Sequence, residues 1–195
     1  MFRYLTAPLL VTALAASWSS VDARVTVVNP AAAAGGRRLF GVTCNECTAI
    51  CQQVHYKTLC TTLTTLPGVT TPVLLLDTAL HIAATKAALA EMKLDEAIKA
   101  STGKGMPLAS SLQSCRESYA SLVDSLQSTR NTLKSGGASA DLMSELSAAG
   151  TFSTDCEDIF DERPELKSPI PGVQRHVSRL VSNCLDIAAT IKHQP

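Results

Sequence analysis

The chain has 195 residues, of which 17 are basic and 17 are acidic, so its formal net charge is zero. A balanced charge provides no overall attraction for nucleic acid or anionic lipid. Apolar residues make up 46% of the chain and aromatic residues only 4%, which favours helices packed through small aliphatic side chains and argues against a strand-rich fold.

The first 23 residues have the features of a secretory signal peptide. Arg3 precedes an apolar stretch over residues 5–18, and small-residue spacing permits cleavage after Ala23. This stretch is too short to span a bilayer comfortably, which takes roughly 20 apolar residues. The later Ala/Leu-rich segment at 72–100 carries seven charged residues, so we predict no membrane span there and no membrane contact after signal cleavage.

Residues 24–41 are predicted to form a flexible spacer, because their run NPAAAAGGRR has no periodic apolar face. We expect one folded domain over residues 42–192. It should begin with two short helices, over residues 43–54 and 56–66, that form a hairpin. Pro67 and Gly68 separate this hairpin from the helices that follow.

Four longer segments repeat apolar residues at alternating intervals of four and three positions, which keeps them on one helix face. The first begins at Pro72 with Thr71 as a cap and ends before the glycine-rich run at 101–107. The second covers residues 108–133, and two glycines at 136–137 end it.

The third segment, residues 142–160, contains Gly150 and Thr151, where we expect a bend or break. The fourth follows Pro169 and Pro171 and ends near Ile191. Four amphipathic helices with short Gly/Pro connections predict an all-α fold, an antiparallel up-and-down four-helix bundle preceded by the N-terminal helical hairpin.

Seven cysteines in an exported chain predict disulfides, and the odd number leaves at least one thiol unpaired. Cys115 and Cys156 fall on the core-facing positions of neighbouring helices, so a bond between them would lock those helices together. Cys51 and Cys60 flank the turn of the predicted hairpin, and a bond there would fix the angle between two short helices.

The other three cysteines leave alternatives open. For Cys44 and Cys47 we favour a local disulfide over redox chemistry or a zinc site with Cys51 and a histidine, because no thioredoxin-like pattern or second ligand cluster surrounds them. Cys184 lies on the apolar face of the fourth helix, where a buried free thiol is favoured over a bond to Cys44 or Cys47.

The chain shows no pattern typical of an enzyme. Its four histidines lie on separate segments, and it contains neither a Gly-x-Ser-x-Gly motif nor a glycine-rich phosphate loop. We therefore predict a non-enzymatic protein without a cofactor or metal.

Four motifs together resemble the plant invertase and pectin methylesterase inhibitor family. The run CQQVHYKTLC at 51–60 is similar to the family's first signature, with two cysteines separated by eight residues. CRESY at 115–119, CEDIF at 156–160 and KSP at 167–169 are similar to three later stretches, in the family's order and spacing.

This resemblance implies a disulfide-stabilised four-helix bundle in which Cys51 pairs with Cys60 and Cys115 pairs with Cys156. It also implies a protein secreted to the cell wall, or apoplast, that inhibits a carbohydrate-active enzyme by 1:1 protein contact over the substrate cleft. Pectin methylesterase is the favoured target, because the Pro-Lys-Phe motif common in invertase inhibitors is absent from residues 133–139. Cell-wall or vacuolar acid invertase is the alternative.

In methylesterase inhibitors of this family, a threonine before the third-helix cysteine and an aspartate after it touch the enzyme. Asp158 matches the aspartate, whereas Asp155 replaces the threonine and Thr154 lies one position earlier. The resemblance implies that these three residues contact the partner.

Residues 141–162 contain seven acids and no Lys or Arg. This acidic stretch could meet basic residues lining a partner's groove, or it could be a solvated helix face. A protein of another class, a structural or redox-active wall protein built on the same bundle, also fits the sequence.

Overall fold

The computed structural model describes residues 44–101 and 106–192. The predicted signal peptide (1–23), the predicted spacer (24–41) and the first residues of the predicted domain lie outside this part of the chain. The described residues form six α-helices and no strand: α1 (Asn45–Cys51), α2 (Lys57–Thr64), α3 (Pro72–Ala100), α4 (Met106–Lys134), α5 (Ser139–Asp161) and α6 (Pro171–Lys192).

The N-terminal hairpin is present, with both helices shorter than the sequence predicted. Helix α1 ends at Cys51, and residues 52–56 form the connection to α2. Helix α2 ends at Thr64, and Gly68 in the following loop has a φ of +90°, a backbone conformation that favours glycine. The hairpin packs against α3 and α6.

Helices α3 to α6 form the predicted four-helix bundle. Each contacts the next one along the chain, and α6 returns to pack against α3, so every helix has two neighbours. The core contains leucine and alanine from α3, leucines from α4 and aliphatic residues from α6, and Tyr119 of α4 is fully buried among them.

Local signals set the start of α3 and the end of α4 as predicted. The Thr71 hydroxyl accepts a hydrogen bond from the backbone N–H of Leu74 at 3.2 Å. At the end of α4, Gly136 has a φ of +68°, and the N–H of Gly137 donates to the carbonyl of Thr132 at 2.9 Å. Together with the bond from the Gly136 N–H to the Leu133 carbonyl, this is a Schellman motif, which requires a residue that tolerates positive φ.

The break expected at Gly150 is wrong. Helix α5 is continuous from Ser139 to Asp161. A Cβ placed on Gly150 would lie 3.6 Å from Leu185 of α6, so the glycine faces a packed neighbour. Burial of Ala149 and Ser153 on the same side of the helix stabilises this stretch more than the glycine weakens it.

By length and composition alone, helix α3 could cross a membrane. The prediction that its charged residues exclude a membrane span is therefore wrong on composition. Most of those charges lie in its C-terminal half, beyond Lys86. In the folded domain, nine of its residues are buried against neighbouring helices, as expected of a core helix: Leu75, Leu76, Ala79, Leu80, Ala83, Ala84, Ala87, Ala90 and Leu94.

Three disulfides cross-link the described residues. They join Cys44 to Cys47, Cys51 to Cys60, and Cys115 to Cys156. The last bond links α4 to α5 inside the bundle, with the two Cα atoms 4.5 Å apart. Cys184 is a buried free thiol.

Candidate functional site

Thr154, Asp155 and Asp158 lie on one side of the C-terminal half of α5. Thr154 and Asp158 are four residues apart and exposed, and Asp155 is half-buried beside them. The opposite side of this helix carries Cys156 and Phe160, which are buried. The outer side is therefore available to solvent while the inner side anchors the helix in the bundle.

Two further acids continue this outer side to the end of the helix. Asp161 and Glu162 are exposed and follow Asp158 at helical spacing. Asp155, Asp158, Asp161 and Glu162 are called the acidic face below.

Glu145, which belongs to the acidic stretch of the sequence, is bonded to α4 in the structure. One oxygen of its carboxylate, Oε1, accepts hydrogen bonds from the hydroxyls of Ser128 at 2.7 Å and Thr132 at 3.1 Å. Its backbone carbonyl accepts from Ser125 at 2.9 Å. Glu145 therefore ties α5 to α4 instead of facing a partner.

Three acids on α3 pair with arginines of α4. Arg130 donates to both carboxylate oxygens of Asp77, at 2.6 and 3.0 Å, and this hydrogen bonding holds the pKa of Asp77 below its ordinary value. Arg116 donates to Asp95 at 2.6 Å and approaches Glu91 at 3.3 Å. These carboxylates stabilise the bundle itself.

The acidic face lacks such partners. Within residues 44–101 and 106–192, no Lys or Arg forms a salt bridge with its four carboxylates. It also lies at the C-terminal end of α5, where the last turn contains no basic residue and where the helix dipole disfavours negative charge. This placement costs stability, and such local conflicts are typical of residues retained for binding.

The backbone beneath the acidic face is held from two sides. The Cys115–Cys156 disulfide ties it to α4. On the α6 side, the buried Gln174 amide donates to the Cys156 sulfur at 3.0 Å and accepts from the Ser168 hydroxyl at 2.5 Å. The face is therefore presented on a rigid support.

A cavity that the sequence did not suggest lies between the hairpin and α6. Its lining includes His55, Lys57, His176 and Arg179, and it has a volume of about 620 Å³. The four histidines lie on separate segments of the sequence, but the fold brings His55 and His176 to one cavity. The only sequence signal was the spacing of His176 and Arg179, which puts them on one face of α6.

Two side chains of α6 attach the hairpin to the bundle beside this cavity. The Asn183 amide accepts from the Tyr56 N–H at 3.1 Å and donates to the Tyr56 carbonyl at 3.0 Å. The Asp186 carboxylate accepts from the His55 N–H at 2.8 Å. Asn183 is fully buried, and sequence patterns gave no sign of this role.

The remaining cysteines and histidines do not form a reactive cluster. Cys44 and Cys47 are bonded to each other and buried, and burial raises the pKa of the Cys184 thiol to about 12. His81 contacts Arg130, with Nδ1 3.2 Å from the guanidinium, and His193 lies outside the described residues. Among residues 44–101 and 106–192, no group of three or more His, Cys, Asp or Glu could hold a metal ion.

Comparison with known proteins is consistent with this architecture. The family model described as plant invertase/pectin methylesterase inhibitor matches residues 45–187. A mutant form of a pectin methylesterase inhibitor from Arabidopsis is similar in structure, with a TM-score of 0.63 and 20% identity over 77% of this chain and 97% of that one. A second structure, a pectin methylesterase inhibitor from Arabidopsis thaliana, has a TM-score of 0.55 and 19% identity over 76% of this chain and 97% of that one. A comparison with curated proteins gave no match.

Proposed function

Because the chain belongs to the plant invertase/pectin methylesterase inhibitor family, we propose that it is an exported, non-catalytic inhibitor of pectin methylesterase. In this proposal, residues 1–23 direct secretion to the cell wall, residues 24–41 are a spacer, and residues 42–192 bind the enzyme one to one across its substrate cleft. The family match over residues 45–187 carries the proposal.

The acidic face of α5 is the proposed contact surface. Thr154, Asp155 and Asp158 lie together on its exposed side, and no described residue of this chain neutralises the two carboxylates. Unpaired acids on a rigid helix can pair with basic residues of a partner without first breaking internal ion pairs. Asp155 stands where the family has threonine, so contact at this position would depend on charge as well as hydrogen bonding.

Parallel inhibition assays test the target. The purified oxidised protein is titrated against a plant pectin methylesterase and a plant acid invertase. We expect loss of methylesterase activity only, with one inhibitor bound per enzyme as measured by light scattering of the complex. Inhibition of invertase alone would assign the other target, and inhibition of neither would refute the inhibitory function.

A matched pair of double variants tests the surface. Asp155→Asn with Asp158→Asn removes two charges from the acidic face, whereas Glu96→Gln with Asp124→Asn removes two exposed charges from α3 and α4. We expect the first to weaken inhibition about tenfold or more, as loss of charged interface contacts does, and the control to change it less than about twofold. Added salt should weaken wild-type inhibition more than that of the first variant.

A further inference from the structure

The basic cavity between the hairpin and α6 is a site of its own. It has a volume of about 620 Å³, is open to solvent, and is lined by exposed His55 and Lys57 from the hairpin and by exposed His176 and Arg179 from α6. Cavities of this size accommodate small ligands or single groups of a polymer. Its lining comes from other helices than α5, which carries the acidic face.

Basic side chains outnumber acids around this cavity. The sequence contains no acid between Glu46 and Asp77, and α6 contains a single acid, Asp186. Asp186 accepts a hydrogen bond from the backbone N–H of His55 and so lies beside this cavity. In the described part of the chain, neither Lys57 nor Arg179 forms a salt bridge. The net charge of the chain is zero, but acids are concentrated on α5 and bases lie around this cavity.

Two of the basic groups, Arg179 and His55, are held on one wall of the cavity by Tyr56. The Arg179 guanidinium carbon lies 5.4 Å from the centre of the Tyr56 ring, a cation–π contact. The Tyr56 ring packs edge-on against His55, with ring centres 4.6 Å apart. Because Asn183 binds both backbone groups of Tyr56, this wall of the cavity cannot move independently of α6.

The lining fits a sugar acid better than a simple anion. An arginine and a lysine can bind a carboxylate through charge-assisted hydrogen bonds. The Thr58 hydroxyl and the apolar side chain of Leu59 also line the cavity, and together they suit a ring that carries both hydroxyls and C–H groups. A concave site also admits one unit of a polymer more readily than the flat face of an acidic protein.

We propose that this basic cavity binds carboxylates of de-esterified pectin, the polyuronide that a pectin methylesterase produces. The identity of the polymer rests on the proposed function, whereas the preference for a carboxylated saccharide rests on the cavity. Such binding would retain the inhibitor where the enzyme has already acted, and the acidic face of α5 would remain free because it repels the same polyanion.

Fluorescence anisotropy with a labelled, fully de-esterified oligogalacturonide tests this inference. The same oligomer with all carboxyls methylated and a labelled polyglutamate of similar length serve as comparison ligands. We expect the wild-type protein to bind the acid oligomer and to bind each comparison ligand about tenfold or more weakly. Equal binding of polyglutamate would refute a saccharide site in favour of an acidic protein partner.

Two variants locate the site. Lys57→Gln with Arg179→Gln removes both permanent charges from the cavity, and Lys57→Gln with His176→Gln leaves the stacking of Arg179 on Tyr56 intact. The control, Lys86→Gln with Lys93→Gln, removes two exposed charges from α3. We expect both cavity variants to bind the oligomer about tenfold more weakly while retaining the wild-type circular dichroism spectrum. Binding unchanged in the second cavity variant, or lost equally in the control, would overturn the proposal.

The result is separable from that of the inhibition assay. If the protein binds the oligogalacturonide but inhibits no enzyme, the cavity site is supported and the proposed function is refuted. If the protein inhibits methylesterase but does not bind the oligomer, the proposed function is supported and the cavity site is refuted.

Discussion

Replacing Asn183 with alanine should detach the N-terminal hairpin from the bundle. The Asn183 side chain is fully buried and makes two hydrogen bonds to one residue, to the N–H of Tyr56 at 3.1 Å and its carbonyl at 3.0 Å. The Cys51–Cys60 disulfide keeps the hairpin intact, so the expected damage is undocking of the hairpin and not its unfolding.

The magnitude follows from what the substitution leaves behind. Each buried backbone group that loses its partner costs about 1–3 kcal/mol. Tyr56 is half-buried, so water can reach part of it and the lower half of that range applies. The sum for two groups is about 2–4 kcal/mol, which for a domain of this size corresponds to a fall in melting temperature of roughly 5–15 °C.

Urea unfolding followed by circular dichroism measures the loss, and hydrogen exchange locates it. Exchange should accelerate first in α1 and α2, because they lose their attachment to α6. Asp186→Ala, which removes one bond to His55 at the edge of the same contact, should cost about 1 kcal/mol. Asn131→Ala, at an exposed position on α4, should be neutral. A loss below about 0.5 kcal/mol for Asn183→Ala would refute the anchoring role.

Three further predictions test the bundle. Cys115→Ala with Cys156→Ala opens a loop of sequence separation 41 and should lower the free energy of unfolding in urea by about 4 kcal/mol. Cys44→Ala with Cys47→Ala opens a loop of separation 3 and should lower it by less than half as much. Equal losses in the two variants would contradict the dependence on loop length. Arg130→Gln should lower the unfolding free energy at pH 7 by about 1 kcal/mol. The pKa of Asp77 is depressed in the folded state. Its ion pair therefore stabilises the fold above about pH 4, and this stabilisation is lost as the pH falls through the folded-state pKa. The difference in unfolding free energy between wild type and Arg130→Gln should therefore narrow in acid, and a difference that does not change with pH would assign the effect to packing. Tyr119→Phe removes a buried hydroxyl that has no hydrogen-bond partner among the described residues, so thermal melting should show unchanged or slightly higher stability. A loss above about 1 kcal/mol would indicate that the hydroxyl is satisfied by buried water.

The elements of the fold were predictable because their signals are local. The Thr71 cap, the paired glycines after α4 and the periodic apolar residues act within one or two helical turns. Cysteine positions on the apolar faces of neighbouring helices likewise anticipated contact between α4 and α5.

The candidate site was predictable only in part. Resemblance to the family implies that Thr154, Asp155 and Asp158 contact the partner, and helical spacing places them on one side of α5. The same spacing could not separate Asp158 from Glu145, because both belong to one acidic stretch without Lys or Arg. Hydroxyls of α4 bind Glu145, and that contact depends on how two helices pack.

The sequence alone therefore determined the four long helices and the signals at Thr71 and Gly136 that end two of them, because each of these follows from interactions between residues close in the chain. Only the tertiary structure decided which acids face solvent, that Gly150 lies within an unbroken helix, and that His55 and His176 share a cavity. These features depend on contacts between residues that are far apart in sequence, such as Asn183 with Tyr56 at a separation of 127 residues, and no local pattern encodes them.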